Sequence, residues 1–403
     1  MSIISPFIKG GLRGIYISCR KIHPNPPFLK EGERRYKMET INAKQAQLDL
    51  KELFERAEPS FQEHKTSEYI KSRLNGMGLT EYKTVGTGIF GTIDAGKEKT
   101  IALRSDMDAL PFNAEKTEYK HLCGHHANMT TLLGVLDYAS ANKEKLKYNI
   151  RYIFQPAEEV IGGAVTMIEA GCLEGVSEIF ATHTGPDAEL GSVALITGDC
   201  MAGSNHFDIK ITGKSTHAAH PNLGTDTVTA ACEYVMSCQT IISRMKDPVE
   251  TGLISFGMIN GGTAANILPE TVELHGTFRH FDPAVKVLIE KTMRTRLKAI
   301  EDFYGVTGEF TVSDGTPPVR CDKGLMDKLR QTCISQNIPV SSFDVKSMGG
   351  EDFAFYLEKI PGAFIWQGVS TGGYQPPLHN KEYRVPDEAV YPCIKLLTAY
   401  ITD

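Results

Sequence analysis

The chain has 403 residues, which is long for one domain and suits two, each able to bury its own core. Its hydrophobic fraction of 41% and charged fraction of 23% are those of an ordinary soluble globular protein. The formal net charge is only −6, so neither nucleic acid nor an acidic membrane surface is an expected partner. No run of about 18 apolar residues occurs, and the sequence therefore predicts no transmembrane helix.

The nine cysteines form an odd-numbered set, scattered along the chain without a CxxC pair. This pattern is typical of reduced thiols and differs from the disulfide framework of a small secreted protein, so we expect a cytoplasmic location. Most of the cysteines have apolar neighbours and are expected to be small core residues. These are Cys172, Cys232, Cys238, Cys333 and Cys393.

Residues 1–37 differ from the rest of the chain, with eight Lys or Arg against two Glu around the stretch HPNPPFLKEGERR. They have neither the continuous apolar core nor the small-residue cleavage site of a secretory signal. We interpret them as a disordered extension, with translation from Met38 or a basic targeting arm as the alternatives. The fold is therefore predicted from residue 38 onward.

From about Glu39, helix and strand signals alternate along the chain, which predicts an α/β fold. An amphipathic helix in AKQAQLDLKELFERA comes first, and KTIALRSDMDALP then predicts a buried strand over residues 101–103 that runs into an acidic loop. YNIRYIFQPAEE predicts a strand that also ends in an acidic loop, and VSEIFATHTGP predicts one that ends at a histidine. Since these strands deliver Asp, Glu and His at their carboxyl ends, we expect an open mixed sheet with a site beyond those ends.

Around Ala202 the pattern changes. NHFDIKITGKS alternates like a half-buried strand, and a helix is predicted over residues 226–245. GLISFGMING and TVELHGTFRHF are strand candidates, and a second helix begins at Asp282-Pro283, a good cap and first-turn pair, and ends near Gly305. GEFTVSDGTPP supplies the last strand of this segment.

The order of these elements, β-α-β-β-α-β, is the ferredoxin-like split motif. It predicts a smaller α+β domain over residues 202–313, inserted into the larger domain. The larger domain is then built from residues 38–201 and 314–403, because strand and loop signals resume after the insertion in GAFIWQG and PLHNKEYRVPDEAV.

Cys123 and His125 are two positions apart in KHLCGHHANMT, a spacing at which both can face one metal ion from a loop or a helix start. Taken alone, the pair is weak evidence for a metal site. Glu158 and Glu159 follow a predicted strand, where one carboxylate can bind metal while the other accepts a proton from water. A solvated acidic loop would have the same sequence pattern.

His183 follows the strand signal EIFAT, and His379 lies in the proline-rich segment QPPLHN. Each, considered singly, is more often a hydrogen-bonded structural histidine than a metal ligand. Thiolate, imidazole and carboxylate groups nevertheless all fall at predicted element ends, and they exceed what one ion needs. This mixture suits zinc or a pair of zinc-like ions.

The chain resembles the metal-dependent amidohydrolases of the aminoacylase and carboxypeptidase superfamily of zinc metallopeptidases, in the branch of hippurate hydrolase and the indoleacetyl-amino-acid hydrolases. The similarity extends from about Ala43 to the C-terminus. It is carried by eight motifs in the family's order: RSDMDALPF, HLCGHHANMT, FQPAEEVIGGA, ATHTGP, GKSTHAAHPNLGTD, NGGTAANILPETVELHGTFR, MGGEDFAFY and PLHNKEYRVPDEA.

The resemblance implies two divalent metal ions, zinc or manganese, with cobalt and nickel as alternatives. The implied ligands are Cys123, His125, Glu159, His183 and His379. Glu158 is the implied general base. The inserted domain becomes a lid and dimerisation domain, on which His217 reaches a facing active site across a homodimer interface and polarises the scissile carbonyl.

The resemblance also assigns residues around the substrate. Asn266 and Arg279 are implied to bind the substrate carboxylate, and the planar guanidinium can make a paired contact that a lysine could not copy. A salt bridge at a strand end is the alternative role for Arg279. Asp106 and Asp108 are implied to orient the metal ligands from behind.

The chain departs from the family at two positions and in one loop. The family usually has CGHD followed by a second histidine, whereas this chain has His126 in place of the Asp and Asn128 in place of the histidine. All five implied ligands are kept, so we expect metal binding, with an altered environment behind it. The segment of residues 113–120 is short for the family, which leaves the acyl group undetermined.

We therefore predict an enzyme that hydrolyses the amide bond of N-acyl amino acids, releasing a carboxylic acid and a free amino acid. A dipeptidase or carboxypeptidase acting on small peptides is the alternative within the class. A catalytically silent metal-binding member of the family is an alternative from another class, but the free carboxylate of Glu158 argues against it. A redox role for the Cys123 thiol is a weaker interpretation, because His125, His126 and an acidic pair favour a metal thiolate.

Overall fold

The structure, a computed structural model, describes residues 42–344 and 346–402. The extension predicted for residues 1–37 lies outside the described residues. Within them, no helix combines the length and the apolar character that a membrane crossing requires.

The described residues contain nine α-helices. In chain order they are α1 Ala43–Glu55, α2 His64–Gly76, α3 His125–Ala141, α4 Gly163–Glu169, α5 Thr227–Thr240, α6 Pro283–Tyr304, α7 Lys323–Ser335, α8 Ala354–Leu357 and α9 Tyr391–Thr402. The predicted amphipathic helix is α1, which begins where the Asn42 side chain accepts a hydrogen bond from the Gln45 amide at 3.2 Å.

The same residues contain seventeen strands. In chain order they are β1 Tyr82–Val85, β2 Gly88–Ile93, β3 Thr100–Asp106, β4 Leu110–Pro111, β5 Tyr119–Lys120, β6 Asn149–Gln155, β7 Val176–Glu189, β8 Val193–Leu195, β9 Gly198–Met201, β10 Gly203–Thr212, β11 Thr216–His217, β12 Gly252–Gly261, β13 Ile267–Leu268, β14 Thr271–His280, β15 Thr307–Thr316, β16 Val319–Cys321 and β17 Gly362–Ser370.

The largest sheet has seven strands in the order β1-β2-β6-β3-β7-β17-β8. Its centre is parallel, since β3 pairs in parallel with β6 and β7, and β7 with β17. The pairs β1–β2, β2–β6 and β8–β17 are antiparallel, so the sheet is mixed, as predicted. Helix α3 packs against β3 and β7, and α1 and α9 pack against α3, which buries one continuous hydrophobic cluster.

The central strands are almost wholly buried, which explains their near-continuous apolar sequences. The strand predicted to end at His183 is longer than expected, because β7 continues to Glu189 by pairing with β17. Pairing of β7 with β3 stops at Ala181, opposite Arg104. His183 therefore lies just past the last β7 residue that pairs with β3, at the side of the sheet where the site was predicted.

A second sheet has four antiparallel strands in the order β12-β14-β10-β15, and helices α5 and α6 pack on it over a separate hydrophobic cluster. We call these elements, within residues 203–316, the four-stranded unit. They follow one another as β-α-β-β-α-β, in the predicted order. Helix α6 begins after the cap at Asp282 and ends at Tyr304, where Gly305 caps it with a left-handed φ of 67°, as the sequence indicated.

The helix predicted over residues 226–245 is confirmed, with α5 continuing from Thr240 into a π-helical turn, Ile241–Met245. One local prediction was wrong. Cys232 is exposed on α5, whereas it was expected in the core. The four other cysteines with apolar neighbours are buried, as predicted: Cys172, Cys238, Cys333 and Cys393.

Candidate metal centre and active site

The ends of β3 and β6, the neighbouring strand β7 and the start of α3 bring most of the predicted metal-site residues together. Asp106 is the last residue of β3, and Glu158 and Glu159 lie in the loop after β6. His183 lies on β7, next to β3 in the sheet. His125 is the first residue of α3, so the CxH pair stands at a helix start, one of its two predicted settings.

The start of α3 depends on Gly124. This residue has a left-handed φ of 92°, and a β-carbon there would lie 2.2 Å from the Thr184 hydroxyl oxygen. Because glycine is the residue that meets both demands, it fixes the turn between Cys123 and His125. The Thr184 hydroxyl donates to the Cys123 carbonyl at 3.0 Å, which ties this turn to β7.

The five residues implied as ligands converge, and we call them the donor cluster: Cys123, His125, Glu159, His183 and His379. The Cys123 Sγ lies 3.4 Å from His183 Nε2 and 3.3 Å from His379 Nε2. The two carboxylate oxygens of Glu159 lie 3.7 Å from His125 Nε2 and 3.7 Å from His379 Nε2. Cys123 and Glu159 thus stand between the histidines, an arrangement with enough donors for two ions.

His379 forms the open side of the donor cluster. Its φ of 68° is left-handed, an uncommon conformation for a residue with a side chain, and its amide donates to the Leu122 carbonyl at 2.9 Å. Its side chain is 56% exposed, while those of His125 and His183 are buried. A small molecule can therefore approach the cluster from the side of His379.

Asp108 holds the acidic loop and His125 in position. Its carboxylate accepts hydrogen bonds from the Glu158 and Glu159 amides, both at 3.1 Å, and from the Ser60 hydroxyl at 2.6 Å. His125 Nδ1 lies 2.9 Å from the Asp108 carbonyl oxygen and 3.3 Å from its carboxylate. With acceptors on that side, Nδ1 keeps its proton, and Nε2 is the ring nitrogen that faces Glu159 and could bind a metal ion in exchange for its own proton.

Asp106 stands behind the same histidine, at 3.9 Å from His125 Nδ1. The Asn128 side-chain amide donates to it at 2.8 Å, and Gln367 in turn donates to the Asn128 oxygen at 3.1 Å. The Thr131 hydroxyl donates to Gln367 at 2.6 Å. Asn128, one of the two departures from the family pattern, is therefore part of a buried hydrogen-bond chain that ends at Asp106.

The electrostatics of the cluster favour cations. Burial and the neighbouring Glu351 raise the pKa of Glu158 well above its ordinary value, and burial raises the pKa of Glu159 to about 7. Burial and Glu159 likewise raise the pKa of the Cys123 thiol. Buried His125 Nε2 and one Glu159 oxygen have no hydrogen-bond partner within the described residues. Divalent cations would satisfy these atoms and neutralise the excess of acidic groups, so the residues fit a metal centre.

The residues implied to bind substrate lie elsewhere. His217 is exposed on β11, which pairs with β13, and the Asn266 carbonyl accepts a hydrogen bond from the Ala218 amide at 2.9 Å. We call residues 216–218 and 266–268 the histidine ribbon. Arg279, half-buried on β14, donates from Nε to the Met348 carbonyl at 3.1 Å. Within the described residues, no hydrogen bond or ion pair joins these three residues to the donor cluster.

Comparison with known proteins decides the family. Residues 102–403 match peptidase family M20/M25/M40. The chain belongs to this family.

Three relatives illustrate the range of the M20/M25/M40 family around this chain. The N-acetyl-L-cysteine deacetylase of Bacillus subtilis (strain 168) is 35% identical over 352 residues, 85% of this chain and 84% of the relative. The IAA-amino acid hydrolase ILR1-like 4 of Arabidopsis thaliana is 32% identical over 359 residues, 83% of this chain and 80% of the relative. A dinuclear metal-binding M20 peptidase of Bacillus subtilis, known from its crystal structure, is 28% identical with a TM-score of 0.77, covering 89% of this chain and 97% of that one.

These matches confirm the predicted resemblance, and they show that this M20/M25/M40 member is a metal-dependent amidohydrolase. The seven-stranded mixed sheet agrees with the fold of the dinuclear peptidase. The order of motifs that predicted the family is therefore reliable over most of the chain.

The second departure from the family pattern, His126, is buried at the back of the site. Its ring packs edge-on against Phe54 at 5.1 Å between centroids and lies 5.3 Å from the His121 ring. Burial lowers the pKa of His126 well below its usual value, so the ring is neutral. At this position the family pattern has a carboxylate, whereas this chain has a neutral ring that packs against other rings.

Sequence reasoning missed a buried guanidinium network beside the donor cluster. Arg104 Nη1 lies 2.7 Å from Asp106, and Nη2 lies 3.0 Å from Glu351 and 2.7 Å from Asp352. Its Nε donates to Gln155 at 2.8 Å. The acidic pair in MGGEDFAFY was visible in the sequence, but its partner was not, because Arg104 is 247 residues away from Glu351.

Proposed function

We propose that the protein hydrolyses the amide bond of N-acyl amino acids. The observation that carries the proposal is the donor cluster with one further carboxylate, Glu158, beside it. The Glu158 side chain lies 3.9 Å from His125 Nε2 and has no hydrogen-bonding role within the described residues. A structural metal site has no use for such a group, whereas hydrolysis needs a base. The names of the deacetylase and hydrolase relatives support the same substrate class.

We propose that the donor cluster holds two divalent cations, zinc or manganese, with cobalt and nickel as alternatives. When bound, these ions supply Lewis acidity for the carbonyl and lower the pKa of water toward about 7. Asp106 and Asp108 would keep His125 oriented for them. The arrangement around Cys123 and Glu159 supports this role, because each stands between two histidines of the cluster.

Glu158 is proposed as the general base. It would accept the proton of the attacking water and later deliver that proton to the departing amine. Within the described residues its raised pKa comes from burial and from adjacent carboxylates. Bound cations would oppose this effect and keep Glu158 ionised at neutral pH.

We propose that the four-stranded unit is a ferredoxin-like lid and dimerisation domain. Its strand β12 is an edge strand of the sheet, and α5 lies beside it. Three large apolar side chains are exposed there, Met236, Met258 and Ile259, each more than half accessible. An unpaired edge with exposed apolar residues suits an isologous contact with a second copy of this chain.

In such a homodimer, His217 would act on the substrate bound by the partner copy. It would polarise the scissile carbonyl, a type of contact whose loss costs about 10²–10³ in kcat. Asn266 on the same histidine ribbon and Arg279 would hold the substrate carboxylate. Arg279 supports this role by its contact with Met348, three residues before Glu351.

The acyl side of the substrate is proposed to meet Phe61 and Val160. Both are large apolar residues, 48% and 58% exposed, and Val160 directly follows Glu159. Glu63 ties their loops together, accepting hydrogen bonds from the Phe61 and Ala157 amides, both at 2.9 Å. This surface favours an apolar acyl group.

We also propose a cytoplasmic location. All eight cysteines of the described residues are free thiols, which agrees with a reducing compartment.

The proposal is tested by measuring amino-acid release from a panel of N-acyl amino acids and dipeptides. Purified protein is assayed with and without a chelator, and with zinc or manganese added back. We expect chelator-sensitive release from acyl amino acids, faster for apolar acyl groups than for acetyl. Release from dipeptides alone would assign the protein as a peptidase. Inactivity across the panel, in protein shown to contain metal, would support the catalytically silent alternative.

A further inference from the structure

A cavity of about 710 Å³ lies between the four-stranded unit and the helices α4 and α8. Val165 and Phe355 line it from these helices. His280, Lys286 and Thr316 line it from the four-stranded unit, and we call it the inter-sheet cavity. Its volume falls within the range of about 300–1,000 Å³ that is usual for small-molecule sites.

The inter-sheet cavity is separate from the donor cluster and from the residues proposed to bind substrate. Its lining residues, all in the part of the chain that the structure describes, include none of them. His280 follows Arg279 in β14, but successive residues of a strand face opposite sides of a sheet. Phe278 belongs to the hydrophobic cluster under α5 and α6, so His280 faces the helix side and Arg279 faces the other.

Two buried polar atoms at this cavity have no hydrogen-bond partner within the described residues, His280 Nδ1 and Thr316 Oγ1. Both residues line the cavity, and each is only 3% exposed. In the sheet His280 pairs with Gly203 and Thr316 with Ser204, so the two flank the start of β10. Because unpaired buried polar groups are costly and uncommon, these two atoms indicate a place where a polar ligand binds.

Lys286, near the start of α6, supplies a positive charge. Its Nζ lies 3.9 Å from Glu290, a long separation for an ion pair, so little of its charge is used within the chain. Burial and Lys286 lower the pKa of His280 to about 4, which keeps the ring neutral and places the ammonium group near it. Arg320 also lines the cavity but pairs with Asp199 at 2.7 Å. Among the lining residues, Lys286 is therefore the cation available to a ligand.

Much of the remaining lining is apolar. Ile161, Val165, Phe355 and Leu357 contribute aliphatic and aromatic surface. Glu358 is the acid among the lining residues, and it is exposed, so water screens its charge. An apolar surface from the α4 and α8 side thus meets a cation and two hydrogen-bonding groups from the four-stranded unit.

We propose that the inter-sheet cavity binds a small organic carboxylate with an apolar body. Lys286, the Thr316 hydroxyl and His280 Nδ1 would donate hydrogen bonds to the carboxylate, and charge assistance would strengthen the contact with Lys286. The apolar body would pack against Val165 and Phe355, so the ligand would bridge the two sheets. The acid released in the proposed reaction belongs to this class, a link that rests on the proposed function.

The test measures the binding of phenylacetate to the metal-loaded full chain. Radiolabelled phenylacetate is equilibrated by dialysis with the wild type and with Val165→Asp, which places a negative charge on the apolar wall. Val165 is 38% exposed, so the variant should fold. At saturation the wild type should bind one molecule more per chain, because any phenylacetate held by the donor cluster is bound by both proteins. Phenylacetamide, which has a similar shape and no charge, should not compete for the additional site.

A second variant and two matched controls accompany Val165→Asp. Lys286→Gln leaves the apolar wall intact and should weaken binding at the additional site by about tenfold or more. It decides the question if Val165→Asp fails to fold. Val287→Asp and Lys291→Gln make the same changes at exposed positions of α6 outside the cavity, and both should bind like the wild type.

Two outcomes would overturn the proposal. One is an equal amount of bound phenylacetate, at every concentration, in the wild type and in folded Val165→Asp and Lys286→Gln, which would mean that the cavity holds only water. The other is competition by phenylacetamide, which would contradict a site for a carboxylate. Neither measurement depends on turnover, so failure of this proposal and failure of the proposed function are distinguishable.

Discussion

The donor cluster and the histidine ribbon both carry residues implied in catalysis, but they are built in opposite ways. The histidines of the cluster are held by fixed hydrogen bonds, as with His125 against Asp108 and His183 Nδ1 against the Thr184 carbonyl at 3.0 Å. His217 on the ribbon is exposed, and its Nδ1 accepts only from the nearby Ala219 amide at 3.1 Å. The histidine rings of the cluster are held by contacts between separate elements of the chain, whereas the ring of His217 is held by a contact two residues away.

The difference follows from the cost of burying charge. Burying a charge without a partner is costly, and Arg104 offsets part of this cost beside the cluster by pairing with Asp106. An exposed histidine has no such requirement. It is free to meet another surface, which is compatible with the proposed contact with a second copy of the chain.

The largest effect is expected from Glu158. Glu158→Gln keeps the shape of the side chain and removes its basicity, so kcat should fall by about 10²–10⁴ while the metal content is unchanged. Glu159→Gln is the matched control and should lose metal. Metal analysis and amino-acid release are measured on the same samples. Loss of metal from Glu158→Gln would mean that the two glutamates have exchanged roles.

A smaller loss is expected from the ribbon. His217→Ala should lower kcat by about 10²–10³, because a donor to the developing oxyanion is removed, while metal content stays the same. His220, whose ring centroid lies 6.1 Å from that of His217, is exposed on the same segment and provides the control. Equal losses from His217→Ala and His220→Ala would indicate a general structural effect and contradict the assignment.

Substitution of Asn128 should have a milder effect, and it should act on metal affinity instead of kcat. Asn128→Ala removes the hydrogen bond to Asp106 and should weaken metal affinity by about 10–100-fold, as for other groups that orient metal ligands. The affinity is measured by competition with a metal indicator. Asn142→Ala, at the other end of the same helix, should leave it unchanged. Unaltered affinity in Asn128→Ala would show that the hydrogen-bond chain behind the cluster does not act on the metal.

The smallest expected effect is on the pH dependence of stability, and it follows from the different surroundings of two buried histidines, His125 and His280. Burial alone would lower the pKa of His125, but Asp106 and Asp108 raise it to about 10. At His280, at the end of β14, burial and Lys286 outweigh the opposing effect of Asp282 and lower the pKa from 6.5 to about 4. Between pH 4 and pH 6.5, the unfolded chain binds a proton at His280 that the folded chain does not bind.

Stability should therefore be lost as the pH falls from 6.5 toward 4. His280→Gln removes this contribution, so its urea midpoint should change less between pH 7 and about pH 5 than that of the wild type. An identical change in both proteins would mean that His280 does not titrate with the unfolded-state value when the chain unfolds.

How far the sequence predicts the molecule depends on the range of the interactions. Local signals were sufficient for α6, where Asp282, Pro283 and Gly305 mark both ends. Motif order was sufficient for the convergence of the donor cluster. The full length of β7 was not predictable, because its last residues are held by β17, almost two hundred residues later in the chain.

The same reasoning explains the residues that were missed. Arg104 lies in a strand where a buried cation has no local signal, and its acidic partners are brought to it only by the folded sheet. Cys232 was expected in the core because its neighbours are apolar. It lies instead on the outward side of α5, near exposed Met236, because apolar neighbours in the sequence do not specify which face of a helix is buried.

The most direct test of the two-region account is complementation between inactive chains. Equal amounts of Glu158→Gln and His217→Ala protein are mixed, dissociated and reassociated, and hybrid dimers are verified by differently tagged chains. We predict a return of about a quarter of wild-type activity, because about half the dimers are hybrids and each hybrid has one intact site. Activity no greater than that of the separate variants, in samples shown to contain hybrids, would contradict a site shared between two chains.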